Sequence, residues 1–386
     1  MAGRSGAWAV RIGVSLGLLL FGALALASGI DRMSVQAPAL GRLVPGPLQA
    51  QGARATSALA FAREQPVAAV AAARRAVAND PVEPGSTSLL GMAYLLNEQP
   101  AEAEAAFRVA ARFGWREPAT QVYWYQAALD SGDLPRAVDR LDALLRTHPQ
   151  LPARDLLLSP LESTSEGRAA LIVRLAGKPN WLQYYLKPEP ELADETVERR
   201  SRVLADLAAG ATALGCETVA PFVDQALARG ARADAERVWT GHCPGSELTW
   251  GLADGGFERF GRDETSPFGW RSNLSGDVAV RSVEKGRGNR AVHLVNRSAV
   301  SRLVLRQAVA LEPGTYRMTA AATGGRVAAS LGCGGPPGVP SLVDGDPARG
   351  GQVLRVAACS RLELGLWIRP GDGEVELDSV ALERIG

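Results

Sequence analysis

Residues 84–117 are PGSTSLLGMAYLLNEQPAEAEAAFRVAARFGWRE, a segment with an ordered alternation of small and large apolar side chains. Counted from residue 84, the small residues Gly91 and Ala103 occupy positions 8 and 20 of this 34-residue unit. Positions 7, 11, 24 and 27 of the unit hold Leu90, Tyr94, Phe107 and Ala110. Apolar residues at this spacing on both sides of the turn at residues 97–100 predict two packed helices.

The same pattern returns at a shift of 34 residues in each direction. In unit 118–151, positions 20, 24, 27 and 32 hold Ala137, Leu141, Leu144 and Pro149. In unit 50–83, the same positions hold Ala69, Ala73, Ala76 and Pro81. Small residues let the two helices of a hairpin approach closely, and proline ends the second helix. The repeat therefore predicts three helical hairpins.

This repeat resembles the tetratricopeptide repeat over about residues 50–151, and the similarity extends weakly to 243. The resemblance implies a solenoid whose concave face binds a partner protein. The candidates for that face are Arg108, Arg112, Trp115, Tyr123, Trp124 and Tyr125. The alternative is that these aromatic residues fill the space between repeats. Residues 152–245 keep helical spacing without a clear register, and we expect a degenerate helical continuation there.

After residue 245 the composition shifts to Gly, Pro and short alternating segments, which predicts a β-sandwich of seven or eight strands. Its marker segments are residues 254–258 (DGGFE), 267–270 (PFGW), 311–316 (LEPGTY) and 375–382 (VELDSVAL). In this order they resemble the galactose-binding-like jelly rolls, which include many carbohydrate-binding modules, over about residues 246–386.

That resemblance implies two kinds of site. Glu258 and Asp378 fall where members of the family hold a structural calcium, although Ser379 stands where a second Asp is common. The alternative is that they are two ordinary strand-end carboxylates. The candidate aromatic platform for a sugar ring consists of Trp250, Trp270, Tyr316 and Trp367, for which core packing is the alternative reading.

Residues 12–30 carry no charge and are long enough to cross a bilayer. Arg4 and Arg11 precede them, which predicts a cytoplasmic segment at 1–11, a membrane anchor at 12–30 and a linker at 31–49. The rest of the chain would then lie in the periplasm of a single-pass inner-membrane protein. A signal peptide cleaved after the small residues at 25–27 is the alternative, and it also places the bulk of the chain outside the cytoplasm.

The four cysteines fit an oxidising compartment. Cys216 and Cys243 fall in one helical region, and Cys333 and Cys359 fall in the β-rich region, so we expect pairing within each. Four separate buried thiols are the alternative.

The chemistry of the chain favours binding over catalysis. Its 386 residues include 42 basic and 41 acidic ones, with no basic stripe for nucleic acid, and only three His. No GxSxG, Walker, GxGxxG or HExxH motif occurs. A glycosidase-type carboxylate pair among Asp254, Glu258, Asp263 and Glu264 is the enzymatic alternative.

The fold class expected is therefore multidomain: a transmembrane helix, an all-α tetratricopeptide-type solenoid and an all-β jelly roll. We expect a non-catalytic adaptor without a cofactor other than calcium. Its partners would be envelope proteins, a polysaccharide and the membrane, in the assembly or export of a cell-surface polysaccharide. A purely protein-binding scaffold is the alternative.

Overall fold

The computed structural model describes residues 3–187, 192–244, 251–262, 266–286, 288–340, 345–359, 361–370 and 373–386. The chain forms two compact units, Met1–Arg154 and Asp155–Gly386. The helices after residue 154 thus belong to the same unit as the strands. The boundary predicted at residue 245 stays a prediction.

The first unit is helical and repeat-like. Its long N-terminal helix is followed by two short 3₁₀ segments and by six helices of similar length. The bounds are α1 Gly3–Met33, α2 Ala50–Ala62, α3 Pro66–Asn79, α4 Pro84–Leu96, α5 Pro100–Ala111, α6 Pro118–Asp130 and α7 Leu134–Thr147. The first helices of the hairpins begin at residues 50, 84 and 118, and the second helices at 66, 100 and 134. Both series have the 34-residue spacing read from the sequence.

Proline and capping residues set these helix starts. Pro84 and Pro118 occupy the first helical position, where the missing N–H would have no partner and the fixed φ suits a helix. Just before them, the side chain of Glu83 accepts a hydrogen bond from the backbone N–H of Gly85, and that of Glu117 accepts from Ala119 and Thr120. The chain therefore restarts each hairpin at the same point of the repeat.

Helix α1 is apolar enough to cross a membrane. Residues Arg11–Met33 form its candidate span, and none of the tested window is buried within the protein. Near its C-terminal end, the buried Asp31 carboxylate accepts hydrogen bonds from the N–H groups of Gln51 and Gly52, each at 2.8 Å. A carboxylate suits this place because the N-terminus of α2 presents unpaired N–H groups and a partial positive charge. Asp31 therefore joins α1 to the first hairpin.

The second unit begins with helices and ends with a β-sandwich. The helices are α8 Arg154–Ser163, α9 Ser165–Ala176, α10 Leu182–Tyr185, α11 Asp194–Ala209, α12 Cys216–Ala228 and α13 Arg232–His242. The strands are β1 Arg271–Ser272, β2 Val278–Gly286, β3 Asn289–Asn296, β4 Arg302–Val309, β5 Gly314–Thr323, β6 Val327–Cys333, β7 Gly345–Asp346, β8 Gly351–Val356, β9 Leu362–Ile368 and β10 Glu374–Arg384.

The strands form two antiparallel sheets, with orders β1-β4-β9-β6 and β2-β3-β10-β5-β8-β7. Alternate residues of both sheets, among them Val292, Leu294, Leu364 and Leu366, face a shared core from which water is excluded. The predicted all-β sandwich is confirmed. The sequence did not reveal β1, β7 or β8: the first two are only two residues long, and the glycines at the start of β8 resemble a loop.

Disulfides connect Cys216 with Cys243 and Cys333 with Cys359. These are the pairs expected from the sequence. The first joins the start of α12 to the residue after α13, and the second joins the end of β6 to the segment before β9.

Gly91 generates a first prediction. A Cβ at this position would lie 2.7 Å from Cε2 of Phe107, so Gly91→Ala forces the buried ring to move. We expect the clash to exceed the gain in helix propensity, with a net loss of at least about 1 kcal/mol in the free energy of unfolding. Urea unfolding of the full chain in detergent measures the loss. Adding Phe107→Leu should reduce the clash, so equal effects of Gly91→Ala in both backgrounds would contradict this packing.

His242 generates a second prediction, on pH. Its buried ring accepts a hydrogen bond at Nδ1 from the N–H of Leu214 at 3.1 Å, and its Nε2 lies 2.9 Å from the carbonyl oxygen of Leu204. Burial lowers the pKa of His242 below its usual 6.5, partly offset by the hydrogen bond to Leu204. As the pH falls below about 6.5, the unfolded chain binds a proton that the folded chain resists, so stability is lost toward acid.

A protonated Nδ1 cannot accept from Leu214. We therefore expect hydrogen–deuterium exchange to show falling protection of the Leu214 amide below about pH 6.5, after correction for intrinsic rates. The exposed His148 supplies the control, since His148→Gln should keep this pH dependence and His242→Gln should abolish it. Protection of the Leu214 amide that stays constant with pH in the unmodified protein would contradict the assigned hydrogen bond to His242.

Candidate functional site

The predicted protein-binding residues divide into exposed and packed groups. Arg108, Arg112 and Trp115 are exposed, with 48% of Trp115 accessible to solvent. Tyr123 and Trp124 are half-buried and Tyr125 is fully buried.

Packing between α5 and α6 explains the second group. The ring of Tyr123 stacks on that of Phe107 with centroids 4.1 Å apart, and Trp124 meets Tyr123 edge-on at 5.1 Å. Nε1 of Trp124 donates a hydrogen bond to the carbonyl oxygen of Phe107 at 3.4 Å. These aromatic residues mainly hold neighbouring helices together, so Trp115 is the aromatic residue of the set most available to a partner.

Trp115 lies under a guanidinium. Cζ of Arg140 is 3.9 Å from the centroid of its ring, a cation–π contact, and Nη1 of Arg140 donates to Oε1 of Gln121 at 3.2 Å. Burial, and secondarily the nearby Arg136, lower the pKa of Arg140. Within the described part of the chain, Arg140 Nε and Gln121 Nε2 are buried donors without a hydrogen-bond partner. We call Arg108, Arg112, Trp115 and Arg140 the Trp115 surface.

Three of the four aromatic residues predicted to form a sugar-binding platform are buried in the sandwich. Trp270, Tyr316 and Trp367 are each 7–8% exposed. Their polar atoms are bound internally: Trp270 donates to the carbonyl of Asp254 at 3.0 Å, Tyr316 to that of Glu312 at 3.0 Å, and Trp367 to Oγ of Ser330 at 2.8 Å. As placed, none of the three offers an open ring face to a sugar. Trp250, the fourth candidate, lies outside the described residues.

The calcium ligands predicted at Glu258 and Asp378 stay a prediction. Glu258 is exposed, and Asp378 falls at a β-bulge in β10, where the register with β5 shifts. Asp254 neighbours Glu258, and burial raises the pKa of Asp254, with a further upward contribution from Glu258. Among the described residues, no cluster of three or more His, Cys, Asp or Glu is arranged to hold a metal ion. Asp263 and Glu264, the other carboxylates considered for catalysis, lie outside those residues.

A cleft with charged and apolar walls opens between α12 and the four-stranded sheet. It has a volume of about 240 Å³ and its charged lining consists of Asp224, Arg271, Arg306, Arg361 and Glu363. Gln307, Leu227, Ala228, Pro267 and Ala308 complete the lining. The sequence analysis did not identify this site, because the three arginines come from separate segments and no spacing links them.

A second charged group lies entirely inside the helical part of this unit. Glu162, Tyr185 and Arg200 are fully buried. The Tyr185 hydroxyl donates to Oε1 of Glu162 at 2.9 Å, and Nη1 of Arg200 donates to the Tyr185 carbonyl at 2.8 Å. Nη2 of Arg200 donates to Oδ1 of Asp155, also at 2.8 Å.

Burial, reinforced by Glu162, raises the pKa of Tyr185 well above its usual value, so its phenol keeps the proton that it donates. The group joins α8, α10 and α11. A sequence signal for it exists: Arg200 lies three residues after Val197 and four before Leu204, on the buried face of α11.

Comparison of the chain with protein-family models and with curated proteins finds no match. The candidate sites therefore depend on their own geometry and chemistry.

Arg200 generates a third prediction. Arg200→Met leaves Glu162 buried without its closest cation, so we expect the second unit to lose about 3–5 kcal/mol of stability. Urea-dependent proteolysis of the full chain measures this loss. Arg199→Met is the matched control, because Nε of the partly exposed Arg199 lies 3.7 Å from Oε2 of Glu162, and we expect a smaller loss. Removing both charges with Glu162→Leu and Arg200→Met should recover part of the stability. Equal losses for the two arginine variants would refute the central role of Arg200.

Proposed function

We propose that this chain is a non-catalytic adaptor anchored in the inner membrane and facing the periplasm. Its helical repeats, of tetratricopeptide type, would bind a partner protein, and its sandwich, of galactose-binding-like jelly-roll type, would contact a polysaccharide. The role that joins these activities is the assembly or export of a cell-surface polysaccharide.

The location is supported by α1 and the cysteines. The candidate span follows Arg4 and begins at Arg11, and positive charge at this end of a span favours a cytoplasmic N-terminus. All four cysteines are paired, as oxidising compartments allow.

The observation that carries the adaptor proposal is the Trp115 surface. Trp and Arg are enriched among the residues that dominate protein–protein affinity. Here an exposed indole is stacked by the guanidinium of Arg140. Arg112 adds positive charge at the end of α5, whereas the exposed Arg108 forms an ion pair with Glu104 one turn earlier on the same helix. Charge complementarity therefore favours an acidic segment of a partner, whose carboxylates would meet the exposed guanidinium of Arg112 beside Trp115.

A purely protein-binding scaffold is the second candidate. The burial of Trp270, Tyr316 and Trp367 favours it, since an exposed aromatic ring is the usual platform for a neutral sugar.

The test is a pulldown from detergent-solubilised membranes with the full chain as bait, quantified by mass spectrometry. We expect Trp115→Ala and Arg112→Glu each to reduce the specific partners at least tenfold, as loss of a dominant contact does. Arg75→Glu, the same charge reversal at an exposed position of α3, should leave them unchanged.

Polysaccharide polymerases, transferases or export components among the partners would support the role in assembly. Secretion or division proteins in their place would support the scaffold. Identical recovery with all three variants would refute the Trp115 surface as the binding site.

A further inference from the structure

Three guanidinium groups converge in the cleft beside α12. Arg271 of β1 pairs directly with Arg306 of β4 across the sheet, and Arg361 immediately precedes β9, the other neighbour of β4. Asp224 of α12 and Glu363 of β9 supply the acidic groups of the lining. Three cations and two anions give the lining a formal charge of +1. The cleft is thus a positively charged opening in a protein with little net charge.

The three arginines differ in how fully they are engaged. Arg271 forms an ion pair with Asp224. Arg361 donates from Nη1 to the carbonyl of Ala228 at 3.1 Å and from Nη2 to Oε1 of Glu363 at 3.2 Å. Both are held in place by groups on α12 or β9.

Arg306 is the least engaged arginine. Its Nη1 lies 3.7 Å from Oε2 of Glu363, beyond hydrogen-bond distance. Within the described residues, that buried Oε2 has no hydrogen-bond partner. Because 40% of the Arg306 side chain is exposed and it lines the cleft, its guanidinium retains donors for a ligand.

We propose that this cleft binds the carboxylate of a uronate residue in an acidic polysaccharide, with Arg306 as the principal contact. A guanidinium presents parallel N–H groups that match a planar carboxylate. The formal charge of +1 matches a monoanion, and Asp224 and Glu363 would repel a phosphate dianion more strongly than a carboxylate monoanion. Leu227, Pro267 and Ala308 give the same cleft apolar wall atoms for the C–H groups of a sugar ring.

The size of the cleft favours one sugar ring over a folded peptide segment. Its volume of about 240 Å³ is below the 300–1,000 Å³ typical of sites for drug-sized ligands. The choice of a polysaccharide as the source of the carboxylate rests on the proposed function. The carboxylate-binding chemistry does not, because it follows from the arginines alone.

The carboxylate of Glu363 would compete with a ligand carboxylate for the same arginines. It forms an ion pair with Arg361 and lies close to Arg306. Replacing it with Gln removes that charge while keeping the shape of the side chain. If the cleft is a binding site, Glu363→Gln should bind the ligand more tightly than the unmodified chain. If the ion pairs have only a structural role, neither the unmodified chain nor Glu363→Gln should bind it.

The experiment is a calorimetric titration of the purified full chain in non-ionic detergent with sodium glucuronate and with a glucuronate-containing oligosaccharide. We expect both to bind, Arg306→Gln to weaken binding at least tenfold and Glu363→Gln to strengthen it severalfold. Arg355→Gln, at an exposed position of β8 in the other sheet, should have no effect. Circular dichroism of each variant verifies that it is folded. Raising the salt concentration should weaken binding, since the cleft is open to solvent.

Glucose, acetate and inorganic phosphate are the comparison ligands. Glucose binding as tightly as glucuronate would overturn the role of the carboxylate, and tighter phosphate binding would overturn the choice of anion. Acetate equal to glucuronate would overturn the sugar assignment, and an unchanged Arg306→Gln would overturn the site. These results come from the purified chain, so they are separate from the pulldown, where loss of specific partners would instead refute the adaptor role.

Discussion

Close approach of paired helices is the constraint on which the first unit depends. Position 20 of the repeat is alanine in all three units, and Ala69, Ala103 and Ala137 are completely buried. In the middle hairpin, Gly91 provides the facing space that the Phe107 ring occupies. Larger side chains at these points would separate the helices and displace the aromatic layer between α5 and α6. That layer in turn leaves Trp115 as the exposed aromatic residue beside Arg140.

In the sandwich, the candidate sugar-binding aromatic residues and the charged cleft have different roles. Three of its candidate sugar-binding aromatics stabilise the fold through burial and internal hydrogen bonds. Its charged cleft instead collects arginines from three segments beside α12. Recognition there would depend on ionic contacts, which discriminate by charge and geometry, more than on stacking against a ring. Glycan contact and protein scaffolding, the two functions proposed for the sandwich, would therefore depend on different chemical interactions.

The repeat and the strands were readable from sequence because they depend on local periodicity. The 34-residue shift located the helix starts, and alternation located seven of the strands. Strand β8 was not predicted because Gly350 and Gly351 resemble a turn. The cleft was not predicted for a different reason. Its arginines, Arg271, Arg306 and Arg361, come together only through strand pairing and the packing of α12, which no local pattern encodes. Arg200 also resembled a solvated charge beside Arg199, although its place on the buried face of α11 was visible in the helical spacing.

The Asp31 carboxylate has a consequence for how force passes through the first unit. Near the end of α1, this carboxylate accepts hydrogen bonds from two N–H groups at the start of α2, so rotation of α1 against α2 would break both hydrogen bonds. If α1 spans a bilayer as proposed, tilting or turning it would therefore also move the first hairpin. The bilayer would then set the orientation of the repeats as well as their distance from the membrane.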